Sequence, residues 1–290
     1  MKAKPSVVSR CGGIALFTLL SLLVSGCASG DIEKRIVGGV SCNEDRQYHV
    51  QIDSVQGGMT CGGALINTRW VITASHCREW CLKLVLKIGL NNKVPLLKKI
   101  KGFFKKLFKG SPKNLEQNID PKQQFTFKDG DQPHDIMLIK LNEDVNPKLP
   151  TIRLPPAEGC QKPNMNDPVQ IGGWGFKTFL EIEISLIMLY LISSETSNPK
   201  NLKCAMTEIV QCGENDKPDS KYFSDESTTM CAHKPGVESC FGDAGTAVEY
   251  NSILHGIIVS DPVDKCANPV VMLNICHYRQ WIAETMLNNP

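Results

Sequence analysis

The cysteine content limits the folds open to this chain more than any other feature of its sequence. There are 13 cysteines in 290 residues, and an apolar run at residues 14–24 follows three basic residues and precedes several small ones. This arrangement is typical of a secretory signal peptide, and cysteines in a secreted chain are expected to form disulfides. Cys11 and Cys27 belong to the leader, residues 1–28, which leaves the odd number of eleven for the rest of the chain. We therefore expect a cross-linked extracellular domain in which at least one cysteine is free or pairs between molecules.

The leader has two alternative interpretations. An uncleaved signal anchor would retain the apolar run, although this run is too short to span a membrane as a stable anchor. Residues 24–27 (VSGC) also resemble a bacterial lipobox. Once residues 1–35 are removed, the chain has 27 Lys and Arg against 28 Asp and Glu. This balance gives no reason to expect nucleic acid or a membrane as a partner.

The most informative stretch is CFGDAGTAV, residues 240–248. It resembles the nucleophile loop of the chymotrypsin/trypsin-like serine protease family, which usually reads C-x-G-D-S-G-G-P. Ala244 stands where that family has its serine, and a methyl group cannot attack a carbonyl. The resemblance implies that Gly242 would still offer its backbone N–H to an oxyanion. It also implies that Asp243 would still accept the amine that zymogen cleavage sets free.

A matching activation site lies near the start of the chain. Arg35 is followed by IVGG, residues 36–39, which resembles the sequence at which the family's zymogens are cut. The resemblance implies that residues 29–35 are a short propeptide and that a trypsin-like protease cleaves after Arg35. The new ammonium of Ile36 would then pair with Asp243 in a buried site, where each charge needs its partner.

The residues that match the family's catalytic base and its orienting carboxylate are both present. TASHC, residues 73–77, resembles T-A-A-H-C and matches His76 to the base. HDIMLIKL, residues 134–141, resembles D-I-x-L-x-K-L and matches Asp135 to the carboxylate. An imidazole can take a hydroxyl proton and return it, but here no serine supplies that proton. We expect a buried hydrogen bond between His76 and Asp135 that helps to hold the two implied barrels together.

The family's specificity pocket is altered at several positions. Glu238, six residues before Ala244, stands at the position that selects the substrate side chain. Its carboxylate would suit a basic side chain, or would be a buried acid paired with a nearby lysine. Ser260 opens a Ser-Asp-Pro stretch where the family has Ser-Trp-Gly, and Pro262 has no N–H to donate to an extended substrate. Val270 replaces a pocket-lining glycine, so we expect its side chain to fill the slot.

The resemblance also pairs ten of the eleven remaining cysteines. The implied disulfides are Cys42–Cys204, Cys61–Cys77, Cys160–Cys276, Cys212–Cys231 and Cys240–Cys266. Cys81 is left over, so we expect it to be free or intermolecular, although spacing alone would allow many connectivities. A further bridge of the family is missing at both ends, where Val169 and Tyr250 stand.

The segment from Gly89 to Asp135 is longer than in the family, and part of it is strongly basic. Residues 94–110 (VPLLKKIKGFFKKLFKG) contain six lysines and no acid, and their large apolar residues recur at spacings of three and four. This pattern is typical of a basic amphipathic helix, which would bind anionic glycans or lipid headgroups. A solvated surface loop is the alternative interpretation.

The resemblance covers residues 36–288 and implies an all-β fold of two antiparallel six-stranded β-barrels with a C-terminal helix. We expect the barrels at about 36–150 and 151–276 and the helix at about 277–288. Residues 179–192 (FLEIEISLIMLYLI) are too apolar for the exposed loop that the family has there and too short for a membrane span. An extra buried strand, an oligomer contact or a faulty gene prediction would each account for them.

These features together predict a secreted, non-catalytic serine protease homologue that acts by binding an unknown protein partner. No cofactor and no metal are expected, since no acid lies between Gly89 and Glu116, where some relatives bind calcium. One alternative is an active trypsin-like endopeptidase, which would need another nucleophile, and neither Ser239 nor Thr246 is correctly placed in the loop. Another is a surface-binding effector that uses residues 94–110.

Overall fold

A computed structural model describes residues 36–55, 60–79, 83–91, 115–174, 202–240, 242–259 and 266–290. Part of what the sequence predicts lies outside these ranges, namely the leader, Arg35, Cys81, the lysine-rich segment 94–110, the apolar stretch 179–192, Ser260 and Pro262. The other predicted site residues are all described.

Two antiparallel sheets and one C-terminal helix make up the regular structure of the described chain, which confirms the predicted fold class. The strands are β1 Val40–Ser41, β2 His49–Ser54, β3 Thr60–Leu65, β4 Trp70–Thr73, β5 Leu84–Ile88, β6 Leu115–Ile119, β7 Gln124–Asp129, β8 Gln132–Lys140, β9 Pro168–Gly173, β10 Lys203–Val210, β11 Thr229–His233, β12 Ala247–Tyr250, β13 Ile253–Ile258 and β14 Val270–Asn274. The helix, α1, comprises Ile275–Asn288.

Alternation of apolar and polar residues explains how these strands enclose their cores. In β5, Leu84, Leu86 and Ile88 are buried, whereas Val85 and Lys87 between them are half-buried. Since successive side chains of a strand point to opposite faces, this pattern places one face inside a barrel and the other towards solvent.

The second sheet closes into a barrel of six strands. Its order is β10, β11, β14, β13, β12 and β9, and β9 pairs again with β10 to complete the ring. β9 also meets β12 through the register Glu249 opposite Gln170.

The first sheet has seven strands in the order β6, β5, β2, β3, β4, β8 and β7. The two strands at its edges, β6 and β7, follow each other in the chain and are joined by a 3-10 turn at Pro121–Gln123. Proline has no N–H for a strand ladder, and the Asp120 N–H donates to Gln123 Oε1 at 3.0 Å across the turn. This sheet therefore departs from the predicted closed barrel of six strands: it has seven, and no pairing of β6 with β7 closes the described strands into a ring.

The start of the described chain lies on the second barrel, although the sequence placed residues from 36 onward in the first. β1 pairs with β10, with Val40 opposite Cys204. Ile36 is 3% exposed and belongs to the apolar cluster of the second barrel. The disulfide Cys42–Cys204 fixes the same connection covalently.

The helix begins two residues before its predicted start and packs on the first barrel. Asn274 acts as the N-cap, because its side chain accepts the Cys276 N–H at 3.1 Å. The Phe127 ring of β7 lies edge-on to Tyr278 and Trp281 of the helix, with ring centroids 5.4 and 5.5 Å away. The helix thus connects the last strand of the second barrel to the first barrel.

Five disulfides cross-link the described residues. They are Cys42–Cys204, Cys61–Cys77, Cys160–Cys276, Cys212–Cys231 and Cys240–Cys266, the same pairs that the resemblance implies. Within the described ranges, no helix has the length and apolar character needed to cross a membrane.

Candidate active site

The loop that carries Ala244 is held between the two barrels. The Gly62 N–H of β3 donates to the Ala244 carbonyl at 2.7 Å, and the Gly245 N–H donates to the Ile258 carbonyl at 2.8 Å. Gly242 and Gly245 have φ angles of +88° and +80°, a region of backbone conformation that residues with a side chain rarely adopt. A Cβ at Gly245 would lie only 2.3 Å from the Gly62 carbonyl oxygen. The loop therefore keeps a close, glycine-dependent conformation, while residue 244 offers only a methyl group, 1% exposed.

His76 and Asp135 form a buried pair near this loop. Both belong to the first barrel, His76 in the turn after β4 and Asp135 in β8, so their hydrogen bond does not join the two barrels as expected from the sequence. The ring Nδ1 of His76 lies 2.7 Å from Asp135 Oδ2, and the His76 backbone N–H donates to Asp135 Oδ1 at 2.8 Å. With its proton on Nδ1, the imidazole donates a hydrogen bond to the Asp135 carboxylate across this distance. This is the tautomer in which Nε2 can serve as a base.

Ser75 adds a contact that the sequence analysis did not predict. Its hydroxyl lies 3.1 Å from Asp135 Oδ1 and 3.0 Å from the His134 carbonyl oxygen. Ser75 occupies the third position of TASHC, where the family has alanine, so the departure was visible in the sequence. Its partner was not, because nothing local indicates a residue 60 positions away.

His134, the residue before Asp135, is also buried in a ring of aromatic groups. Its Nδ1 lies 2.9 Å from the Tyr278 hydroxyl, and its ring centroid is 4.9 Å from that of Phe127. Burial lowers the pKa of His134, and the neighbouring His277 lowers it further. The strand that positions Asp135 is thereby packed against the C-terminal helix by a neutral imidazole.

Both members of the expected activation pair lie in the interior. Asp243 has no exposed surface, and its Oδ2 accepts the Cys240 N–H at 2.8 Å. A Cβ at Gly173 would lie 1.8 Å from Asp243 Oδ1, so the strand passes this carboxylate with no room for a side chain. Val37, the residue after Ile36, exchanges backbone hydrogen bonds of 3.1 and 3.4 Å with Glu238, which precedes Asp243 by a few residues in the chain.

The residues of the predicted specificity pocket are partly described. Glu238 is half-buried, and Ser239 beside it is fully buried. Val270 has no exposed surface and belongs to the apolar cluster that contains Val237 and Met230. At the position where the family has glycine, a branched side chain is therefore packed into the protein interior.

Cys61, His76 and Cys77 place three potential metal-ligand atoms, two sulfurs and one ring nitrogen, within 4.8 Å of one another. The two sulfurs, however, are bonded to each other as a disulfide. They cannot act as thiolate ligands in that state. A cavity of about 620 Å³ lies elsewhere, on the second barrel, and is lined by residues within 162–165, 209–217 and 224–230.

Known proteins are similar in sequence to this chain over almost its whole length. The sequence model of the family described as Trypsin matches residues 36–282. Kallikrein-2 of Homo sapiens is 29% identical over 285 residues, covering 94% of this chain and 98% of the relative. Kallikrein-15 of Homo sapiens is 27% identical over 283 residues, covering 94% and 99%. Trypsin V-A of Rattus norvegicus is 28% identical over 282 residues, covering 94% and 98%.

Proposed function

Because the chain belongs to the trypsin family, we propose that it is a secreted, non-catalytic member that acts by binding. The observation that carries this proposal is the alanine at position 244 of the nucleophile loop. The Ala244 carbonyl accepts a hydrogen bond of 2.7 Å from Gly62, and the N–H of the next residue, Gly245, donates one of 2.8 Å to Ile258. The base His76 and its carboxylate Asp135 are in place. Loss of the nucleophile from such a triad lowers turnover by a factor on the order of a million.

Neighbouring hydroxyl groups do not replace the missing serine. Thr246 and Ser239 have no exposed surface. Ser75 is 4% exposed and directs its hydroxyl to Asp135 and the His134 carbonyl. An active trypsin-like endopeptidase, the alternative, would need one of these groups to reach a substrate carbonyl. Val270, which stands where the family has a pocket-lining glycine, is fully buried. In this proposal its side chain is a second obstacle to a basic substrate side chain.

Secretion and proteolytic activation belong to the same proposal. Five disulfides fit an oxidising compartment. The burial of Ile36 and Asp243 supports an activation switch operated by a trypsin-like protease that cuts after Arg35. In this proposal the cut changes the shape of a binding surface and does not release catalysis.

The partner is proposed to be a protein, with residues 94–110 as an additional contact to an anionic glycan or lipid surface. Six lysines in this segment would each contribute about 1 kcal/mol or less at an anionic surface, and salt would screen them. Changing Lys98, Lys99, Lys105 and Lys106 to Gln should lower the salt concentration at which the protein elutes from heparin. Elution at an unchanged salt concentration would show that the segment is an ordinary solvated loop.

A fluorophosphonate probe, which labels activated serines, tests the proposed loss of catalysis. We expect no labelling of the protein after cleavage at Arg35, since Ala244 has no hydroxyl to phosphonylate. Ala244→Ser is the matched variant, and Ala244→Ser with His76→Ala controls for labelling that needs no base. Base-dependent labelling of the parent protein would overturn the proposal. Peptide cleavage by Ala244→Ser should stay slight, because Val270 and Pro262 remain.

A further inference from the structure

A short segment of the second barrel crosses to the first barrel beside His76. We call residues 219–223, which lie between β10 and β11, the strap. At its end, the Phe223 N–H donates to the Pro133 carbonyl at 2.8 Å. The Phe223 ring also lies 5.1 Å from the His134 ring, centroid to centroid. The strap is therefore fastened to β8 directly before Asp135.

The middle of the strap is held by Glu79. This residue follows the 3-10 turn Ser75–Arg78 that carries His76, and its N–H donates to the His76 carbonyl at 3.0 Å. One carboxylate oxygen of Glu79 pairs with Lys221 Nζ, and the other accepts the Tyr222 hydroxyl. Both carboxylate oxygens of Glu79 thus bind the strap, while its backbone N–H is hydrogen-bonded to His76.

The electrostatic surroundings agree with a strap that passes close to the imidazole. Burial raises the pKa of Tyr222, and so does its hydrogen bond to Glu79. Hydrogen bonds from Lys221 lower the pKa of Asp219, and the nearby His76 lowers it slightly further. The His76 side chain is 8% exposed.

We propose that the strap is a lid that covers the His76 side of the cleft, so that a ligand reaches this imidazole only after the Glu79 contacts open. The lid is reversible, because the side chains of Lys221 and Glu79 are 45% and 34% exposed and such ion pairs are weak and screened by salt. This device goes beyond the proposed function and does not depend on residue 244. It would shield His76 equally in a catalytic protein.

The rate at which diethyl pyrocarbonate acylates each histidine, followed by mass spectrometry of peptides, measures access to His76. His233 is exposed and serves as the internal reference, whereas His49 is 2% exposed and reports on the intact fold. The test variants are Glu79→Gln and Tyr222→Phe, which remove one interaction each with little change of shape. Asp144→Asn is the matched control, because it breaks an exposed ion pair with Arg69 (3.7 Å) elsewhere on the first barrel.

In the parent protein we expect His76 to react more slowly than His233. In either test variant we expect His76 to react up to about fivefold faster than in the parent, because an exposed interaction of this kind contributes no more than that factor to the stability of the closed strap. Added salt should speed the parent's His76 and leave Glu79→Gln unchanged. Equal His76 rates in parent and both variants, or a parent His76 as fast as His233, would overturn the lid. A variant in which His49 becomes reactive has unfolded and does not test the lid. In that case the effect of salt on the rate at which His76 reacts in the parent decides whether the lid exists. Fluorophosphonate labelling tests residue 244 separately, so the two proposals can fail independently.

Discussion

At the scale of single residues, His49 shows how burial sets the charge of this protein. It is 2% exposed, its ring lies edge-on to Trp174 at 6.4 Å, and the charged Arg46 is close by. Burial and, after it, the guanidinium of Arg46 lower the pKa of His49 to about 3. The imidazole therefore stays neutral in the folded protein near pH 6.5, where the same histidine in an unfolded chain takes up a proton.

The consequence is a loss of stability in acid. Since the pKa of His49 is lowered on folding, its contribution is fully present above an unfolded pKa of about 6.5 and is lost as the pH falls towards 3. One such group lowers the free energy of unfolding by up to about 1.4 kcal/mol per pH unit. In His49→Gln we expect the decline between pH 6.5 and pH 4.5, measured by urea unfolding, to be shallower by that amount. Identical slopes in parent and variant would contradict the burial argument.

At the scale of elements, a buried arginine joins two strands of the second barrel. Arg46 is 3% exposed, its Nη1 donates to the Gln170 carbonyl of β9 at 3.3 Å, and its Nη2 donates to the Ala247 carbonyl of β12. β9 and β12 are the strands that carry Val169 and Tyr250, where the family's additional disulfide is missing. Arg46 thus supplies a non-covalent link between the same two strands.

Replacing this arginine should weaken the second barrel. Arg46→Lys keeps the charge but cannot reach both carbonyls, so we expect the free energy of unfolding to fall by about 1–3 kcal/mol. Adding Val169→Cys and Tyr250→Cys should restore stability under oxidising conditions, since these residues are one register step beyond Glu249 and Gln170. An unchanged melting temperature of Arg46→Lys would show that the link contributes nothing.

Short motifs made most of the fold and part of the site predictable. The family's base and nucleophile loops require particular residues at particular spacings, so TASHC and CFGDAG were enough to select His76, Asp243 and the loop around Ala244 as candidates. Their roles stay predictions. Pro121 could have indicated the break between β6 and β7. The strap could not be predicted, because it has no hydrophobic periodicity and Tyr222 meets Glu79 across 143 positions of sequence. The pairing of β1 with β10 likewise depends on tertiary contacts.

At the scale of the whole molecule, the segment from Ile36 to Cys42 ties the start of the domain to the second barrel. Ile36 is buried in that barrel's apolar cluster, Val37 pairs with Glu238, and Cys42 is bonded to Cys204. A cut after Arg35 would therefore place a new ammonium group on a segment whose neighbours are already anchored. Asp243, fully buried, is the carboxylate proposed to receive it.

We expect that cleavage after Arg35 makes the domain more resistant to a second protease, because a buried ion pair orders the loops around Asp243. Asp243→Asn keeps the shape and removes the charge, and it should abolish the gain in resistance. The measurement is the rate of thermolysin digestion before and after the cut. If Asp243→Asn gains as much resistance as the parent, the proposed activation switch does not operate.

The most direct test of the central claim is the hydrolysis of a basic chromogenic peptide by purified protein cut after Arg35. Because Ala244 provides no nucleophile, we predict a rate indistinguishable from that of buffer and unchanged in His76→Ala. The His76→Ala variant separates intrinsic turnover from a contaminating protease, which would act equally in both preparations. Turnover by the parent that disappears in His76→Ala would show a working catalytic site and would contradict the account.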